Sequence, residues 1–335
     1  MPIKKILIVQ TAFIGDVILV TPLIRETKKL FPDAEVSVLV QKSNISILKY
    51  NPWIEKVIGM EKSKFDLFNF FKTLSTLRKV KFDLAITPHR SLRTLLLLYL
   101  SGIKRRHGFN QDNKKVLLTD KFKHPKGVHK AEKNLELLSP FTKGRLDWHS
   151  ELFYSDEELV KAKDVLNPER NIAIAPGSVW NTKRWQEEYF VELCSKLSAE
   201  GWNLIFIGSN GEKELSERII KKAGIVATNS CGNFSITGSA ALLSLCDGLI
   251  CNDSGALHIG NAVKTSVFAF FGPTVKRYGY YPFGATDLLF EVDMDCRPCG
   301  AHGHKKCPLG HHNCMREIKP EYVFERIVAK LSSLT

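Results

Sequence analysis

Several residues able to do chemistry follow short apolar runs, where a strand would end. Asp16 closes Thr11-Ala12-Phe13-Ile14-Gly15-Asp16, directly behind the β-branched stretch Ile6 to Val9. A carboxylate projecting from a strand end can remove a hydroxyl proton as a general base. At the start of a helix it can equally complement the helix dipole. The run lacks the three glycines of a dinucleotide fingerprint, which argues against a nicotinamide site. Behind Ile172 to Ala175 comes Pro176-Gly177-Ser178-Val179-Trp180-Asn181-Thr182-Lys183-Arg184-Trp185. A hydroxyl, a glycine and two adjacent cations suit a diphosphate, with a solvated basic loop as the plainer reading. Large aromatics such as Trp180 and Trp185 usually pack or stack even in a loop.

Glu212, in Ile207-Gly208-Ser209-Asn210-Gly211-Glu212, can accept hydrogen bonds from a ribose diol or simply cap a helix. The strongest local motif is Cys251-Asn252-Asp253-Ser254-Gly255-Ala256-Leu257-His258, followed by Phe271-Gly272-Pro273-Thr274. Asp253 or Ser254 can cap the helix there, and Ser254 and Gly255 can present unpaired N–H groups to a phosphate. His258 lies near the same helix mouth, as a ligand contact or a structural histidine. Near the C-terminus, Asp293-Met294-Asp295 has the form that can hold a divalent cation against a nucleotide diphosphate, but it stands far along the chain beside a cysteine cluster. Diphosphate contacts are therefore assigned to lysine, hydroxyl and backbone groups, with no catalytic metal. The cluster itself, Cys296, Cys299, Cys307 and Cys314, opens with Cys-x2-Cys and is interleaved with four histidines. Two readings stay open: a closed structural zinc site, or reduced thiols in a packed loop.

The elements that must position these residues alternate. Ile6 to Val9, Glu35 to Val40 and Asp83 to Thr87 read as strands, with helices near Val17 to Leu30, Leu67 to Lys79 and Ser91 to Leu100. The grammar restarts after Asn167-Pro168, with strands at Ile172 to Ala175, Asn203 to Ile207, Gly248 to Cys251 and Thr265 to Phe270 and helices near Gln186 to Ala199 and Gly211 to Ala223. Strand–helix alternation implies parallel sheets, and ligands of such sheets gather outside the carboxyl ends of the strands. At 335 residues the chain is long enough for two cores.

The composition is that of a folded globular protein, 44% hydrophobic and 25% charged. Apolar runs such as Leu95 to Leu100 fall short of the roughly 18 to 20 residues of a membrane span. The start Met-Pro-Ile-Lys-Lys shows no apolar signal region, so a cytoplasmic location is expected. The net charge of +13 is divided unevenly: residues 1–150 hold 28 Lys and Arg against 13 Asp and Glu, while residues 151–335 hold 20 against 22. A field concentrated in one half suits an anionic partner. His89, Arg90, Arg93, Lys104, Arg105, Arg106, Lys114 and Lys115 are its candidate contacts.

Taken in order, Phe13-Ile14-Gly15-Asp16, the Pro176 to Trp185 loop, and Asn252-Asp253-Ser254-Gly255 with His258 and Phe271 to Thr274 resemble the ADP-heptose:lipopolysaccharide heptosyltransferases. The cysteine-bearing segment is more similar to the type II enzymes. The resemblance implies a GT-B fold, an α/β architecture of two facing Rossmann-like domains with parallel sheets and a deep cleft. On that pattern residues 1–160 receive the acceptor and 161–318 the ADP-sugar, and a C-terminal helix over 319–335 crosses back. It implies metal-independent, inverting transfer of heptose from ADP-heptose to the inner core of lipopolysaccharide, at the cytoplasmic face of the inner membrane. Asp16 matches the base. Lys183 and Ser178 match diphosphate contacts, Glu212 a ribose contact, and Asp253, Ser254, Gly255 and His258 the helix-mouth donor site. Arg90, Arg93, Arg105 and Arg106 are the candidates for the anionic acceptor. Val179 departs from type I relatives, which carry a second hydroxyl there. A related transferase with another sugar or acceptor, and a non-enzymatic polyanion-binding protein, are the alternatives; no nucleic-acid motif is visible.

Overall fold

The apolar runs become strands buried on both faces, as parallel sheets covered by helices require. The computed structural model describes residues 2–61, 67–110, 116–168 and 170–333, so Lys114 and Lys115 lie outside the described residues. Two compact units emerge, Met1–Phe153 and Tyr154–Thr335.

In the first unit the elements are β1 (Lys5–Gln10), α1 (Ile14–Ile18), α2 (Thr21–Leu30), β2 (Glu35–Gln41), β3 (Lys56–Met60), α3 (Leu67–Val80), β4 (Leu84–Thr87), α4 (Leu92–Leu100), β5 (Arg105–Phe109), β6 (Asp120–Phe122) and α5 (Lys130–Leu135). The sheet order is β3-β2-β1-β4-β5-β6, with every pairing parallel. The helix expected over Val17 to Leu30 is two: α1 ends at Ile18, and α2 starts afresh with Pro22 in its first turn. Proline is favoured there because its missing N–H would have been unpaired anyway.

The second unit follows the same plan: α6 (Asp156–Lys163), β7 (Asn171–Ala175), α7 (Glu187–Ala199), β8 (Asn203–Phe206), α8 (Lys213–Ala223), β9 (Thr228–Asn229), α9 (Ile236–Leu243), β10 (Gly248–Asn252), α10 (Gly255–Ala262), β11 (Ser266–Phe271), β12 (Leu288–Glu291), α11 (Asn313–Arg316) and α12 (Pro320–Ser332). Its order is β12-β11-β10-β7-β8-β9, again parallel throughout. Val323, Ile327 and Leu331 of α12 join Phe190, Leu193 and Leu197 of α7 in the core of this unit.

Each sheet reverses its strand order once, between β1 and β4 and between β7 and β10. At such a reversal the two crossovers leave toward opposite faces, so the loops behind the two central strands part and open a crevice. Those loops carry Asp16 and His89-Arg90 in the first unit, and Ser178 to Lys183 and Asp253 to Gly255 in the second.

One buried cation closes the first unit. Arg25, on α2, is 6% exposed. Its Nε donates to Glu26 Oε1 (3.1 Å), Nη1 to Glu151 Oε2 (2.7 Å) and Nη2 to the Asp147 carbonyl (2.7 Å). Trp53 Nε1 donates to the other Glu151 oxygen, and Thr21 Oγ1 accepts from the Glu151 amide. The 147–151 segment is thereby pinned to the second helix. Removing one partner of a buried ion cluster leaves the others desolvated, so Arg25→Ala should lower the stability of this unit by about 3 kcal/mol or more in urea unfolding. A loss below roughly 1 kcal/mol would place the cluster among weak surface pairs.

Candidate functional site

In the second unit the crevice is built around one ion pair. Lys183 ends a short 3-10 turn behind β7, and its Nζ lies 2.5 Å from Asp253 Oδ2 at the end of β10. Thr274 Oγ1 donates to the same oxygen (2.6 Å). Both charged side chains are largely buried, at 13% and 8% exposure, so the pair is held in fixed geometry and well shielded from water. One ammonium proton serves Asp253; a lysine has three to give.

Asn252, fully buried beside Asp253, fastens the loop. Its Nδ2 donates to the Pro176 carbonyl (2.8 Å), and its Oδ1 accepts from the Trp185 amide (2.9 Å). Trp185 is core: its ring stacks on Phe270 with centroids 4.2 Å apart, and its Nε1 donates to the Ile318 carbonyl. Arg184, beside Lys183 in sequence, turns its Nε to the Ser178 carbonyl (2.8 Å) and so shapes the loop. Ser178 is buried while Val179 is exposed.

Glu212 accepts from the Ser209 amide and hydroxyl, both at 2.7 Å, which completes a capping box. It also lies against the loop behind β7: a Cβ added at Gly177 would stand 1.6 Å from Glu212 Oε1. Glycine is the residue that permits this approach. The two roles weighed for Glu212 are therefore compatible, since the cap places the carboxylate at the loop.

Ser254 occupies the N-cap position of α10 without a side-chain capping bond, and the Asp253 carboxylate is taken by Lys183 and Thr274. Neither side chain caps this helix as the sequence suggested. His258, one turn in, is 5% exposed, its ring sits edge-on to Tyr280 at 6.0 Å, and its Nδ1 has no hydrogen-bond partner. Burial, with the Lys183 charge adding in the same direction, pushes its imidazole down to about 3, so it is neutral at pH 7.

The cysteine-bearing segment braces these loops. Thr182 Oγ1 accepts from the His304 amide (2.7 Å), and its carbonyl meets His312 Nε2 at 2.8 Å. Arg297 gives its guanidinium to the carbonyls of Phe271, Gly272, Thr274 and Val292 and to Glu291. Among the described residues no three His, Cys, Asp or Glu side chains converge as a metal-holding group, so of the two readings of Cys296, Cys299, Cys307 and Cys314 the structural zinc site is not supported. Cys314 is taken up in the apolar core, and burial foremost, then the neighbouring Cys299, pushes its thiol up to about 11. Cys299 Sγ, for its part, donates to the Cys296 carbonyl.

In the first unit Asp16 sits in the first turn of α1. Gln41 Nε2 donates to the Thr11 and Ala12 carbonyls, and Asn44 Nδ2 to that of Ala12, which fixes the loop ahead of it. Thr11 Oγ1 meets His89 Nδ1 at 3.1 Å, joining the loops behind β1 and β4. Lys130, the first residue of α5, is near enough that the Asp16 charge counters the effect of burial, which lowers its ammonium; Lys133 and Arg90 act on it too.

The four candidate acceptor arginines are divided by register. Arg90 follows β4, on the Asp16 side. Arg93 lies in the first turn of α4 with its guanidinium 5.9 Å from the Phe70 ring centre. Arg105 pairs with Leu84, which pairs with Ile6, so it stands at the opening of the sheet. That level is four residues, or about 13 Å, before the end of β1. Arg105 lies over Phe141, while Arg106 lies over Tyr99 and donates to the Leu117 and Ile103 carbonyls. Three contributors were not picked out as site residues from sequence. Asn252 and Thr274 lay within quoted motifs, and Lys130 closes the basic run Lys121 to Lys130.

Two parallel sheets, each with polar loops at its strand reversal, and one with a lysine–aspartate pair at a helix mouth, make an α/β protein of two Rossmann-like units, the architecture of GT-B heptosyltransferases. The family model for glycosyltransferase family 9 (heptosyltransferase) matches residues 70–311, more than half of the chain, and the chain belongs to that family. It is similar to lipooligosaccharide heptosyltransferase 2 of Campylobacter jejuni subsp. jejuni serotype O:6, 26% identical over 98% of this chain and 99% of that one. Among solved structures, the glycosyl transferase family 9 protein of Veillonella parvula superposes with a TM-score of 0.88 at 21% identity, covering 98% of both chains. The E. coli ADP-heptose lps heptosyltransferase II does so at 0.81 and 22%, covering 98% of this chain and 99% of that one. The chain is thus a transferase, and the reading of its basic half as a polyanion-binding module without catalysis is set aside.

The unpartnered His258 makes stability depend on pH. Its folded value lies below the ordinary 6.5, so its contribution is present above that value and is lost as the pH falls toward 3. From pH 7 to pH 5 the group should cost up to about 2 kcal/mol, because only the unfolded chain takes up the proton. The urea midpoint of wild type should therefore fall relative to that of His258→Leu between pH 7 and pH 5, by the equivalent of about 2 kcal/mol. Parallel curves would show that His258 titrates normally in the fold.

Proposed function

We propose that this protein transfers heptose from an ADP-heptose donor to the inner core of lipopolysaccharide or lipooligosaccharide, most directly onto a first heptose, with inversion and without a catalytic metal. The observation that carries this is the Lys183–Asp253–Thr274 arrangement at the mouth of α10, in a chain of family 9. Relatives over nearly the whole chain are named lipooligosaccharide or lipopolysaccharide heptosyltransferase 2, which supports the donor, the acceptor and the type.

In this reading residues 161–318 hold the donor. The diphosphate sits at Lys183, Ser178 and the N–H groups of Ser254 and Gly255, which stabilise the charge growing on the departing ADP. Glu212 takes the ribose hydroxyls. Neutral His258 stands beside Lys183 at the same helix mouth, where an imidazole can accept or donate one hydrogen bond without adding charge. Residues 1–160 hold the acceptor. Asp16 removes the proton of the attacking hydroxyl, and that oxygen displaces ADP from the face opposite the bond that breaks. Arg90 and Lys130 stand on the Asp16 side and meet the phosphate or carboxylate of the core. The acceptor is anchored in a bilayer, so the protein works as a peripheral protein at the cytoplasmic face of the inner membrane.

The test is ADP release from ADP-heptose with a heptose-terminated core acceptor, in excess EDTA. Wild type should turn over undiminished by chelation, and Asp16→Asn should lose ~10²-fold or more in kcat. Full activity in the variant would remove Asp16 from its role. Loss of activity in EDTA, restored by a divalent cation, would contradict the metal-free mechanism.

A further inference from the structure

Helices α3 and α4 are consecutive crossovers, from β3 to β4 and from β4 to β5, and both move the same way along the sheet. Right-handed connections therefore set them side by side on one face. Two contacts fix their alignment. Arg93 of α4 lies over the Phe70 ring of α3, and Arg78, near the end of α3, donates from Nε and Nη2 to the Leu100 carbonyl at the end of α4. The helices run parallel, and their inner faces, with Leu74 and Leu77 on one and Leu97 and Leu98 on the other, enter the core.

Their outer faces are apolar where a solvated helix would be polar. Phe68 is 77% exposed and Phe71 58%; on α4, Leu92 is 47%, Leu96 38%, Tyr99 48% and Leu100 39%. The spacing of three, four and seven residues puts each set on one stripe. Neighbouring stripes make a patch, and single exposed leucines would not. The charge on the two helices and the turns that follow them has one sign, with Glu61, which accepts from Asn69 Nδ2, as an acid at the Phe68 end. Segments 67–82 and 92–106 hold Lys72, Arg78, Lys79, Lys81, Arg93, Lys104, Arg105 and Arg106 and no aspartate or glutamate. At one end the patch meets Arg90, since Leu92 starts α4 just behind the His89-Arg90 loop.

We propose that the outer face of α3 and α4 is a bilayer-docking surface that takes anionic phospholipid, with Phe68, Phe71, Leu92 and Leu96 entering the headgroup–acyl boundary and the basic residues meeting lipid phosphates. Apolar side chains rimmed by cations fit such a surface in both properties at once. The inference rests on the reading above, in which the acceptor is bilayer-borne. Docking through this face presents the Arg90 and Asp16 end of the first unit at headgroup level. Arg93, over Phe70, and Arg106, over Tyr99, then fall on the rim of the docking surface, while Arg105, over Phe141, faces the other side of the sheet.

The test is flotation of the full chain with vesicles of phosphatidylcholine alone, and with vesicles doped with phosphatidylglycerol. Wild type should float with the doped vesicles only. Phe68→Ser/Phe71→Ser/Leu96→Ser and, separately, Lys72→Glu/Lys79→Glu should lower the bound fraction about tenfold or more. Transfer to a water-soluble, deacylated core acceptor should be unchanged in both, which also reports folding. The charge variant alters only exposed side chains and decides the matter if the apolar variant does not fold. Flotation of folded variants equal to wild type overturns the proposal. So does a wild-type dimer that the apolar variant breaks while neither binds vesicles, which would make the face a contact between copies of the chain. Patch-dependent flotation without transfer to any core acceptor would instead sink the heptosyl reading and leave the docking surface standing.

Discussion

The reversal of strand order at the centre of each sheet is the constraint on which the rest depends. Between β1 and β4, and again between β7 and β10, parallel strands send their crossovers to opposite faces, so the loops behind them must part. The strands themselves are apolar and buried, which makes the edges of the crevice rigid at little cost in polar desolvation. Side chains that must be both charged and fixed find their place there. The partnerships that formed follow that logic: Thr11 with His89 across one reversal, Lys183 with Asp253 across the other.

A buried ion pair is not in itself a source of stability, because desolvation offsets much of the Coulomb gain. The Lys183–Asp253 pair is better understood as positioning. Thr274 shares the Asp253 oxygen, Arg297 holds the Phe271 to Thr274 carbonyls, and Thr182 is tied to His304 and His312. Asn252 joins both sides of the crevice through the Pro176 carbonyl and the Trp185 amide. Preorganised donors of this kind require little rearrangement when a negative charge grows in front of them. The cysteine-bearing segment braces the crevice through its backbone, its histidines and Arg297.

Much of this plan was legible because the central strands are continuous apolar runs. Ile6 to Val9, Ile172 to Ala175, Gly248 to Cys251 and the run through Phe270 were read within a residue or two of their bounds. The edge and short strands were not. Lys56–Met60, Asp120–Phe122 and Thr228–Asn229 are brief and partly exposed, and Arg105–Phe109 begins with two arginines, which local propensity assigns to a surface. Their pairing is a tertiary fact that no short window contains. Lys183, Asp253 and Glu212 come near the Gly177 loop because each follows an inner strand of the second sheet. Arg105 and Arg106 were grouped with Arg90 by charge alone, and charge carries no information about which end of a strand a residue occupies.

The measurement that tests the account most directly is the affinity for ADP, by titration calorimetry at low and at high salt, of wild type and Lys183→Met. The account predicts that the variant, which keeps the length of the side chain and loses its charge, binds ADP about 10²-fold or more weakly, with a shallower salt dependence. Equal affinity and an equal salt slope would contradict it, since the ion pair at the mouth of α10 would then serve the fold and not the donor.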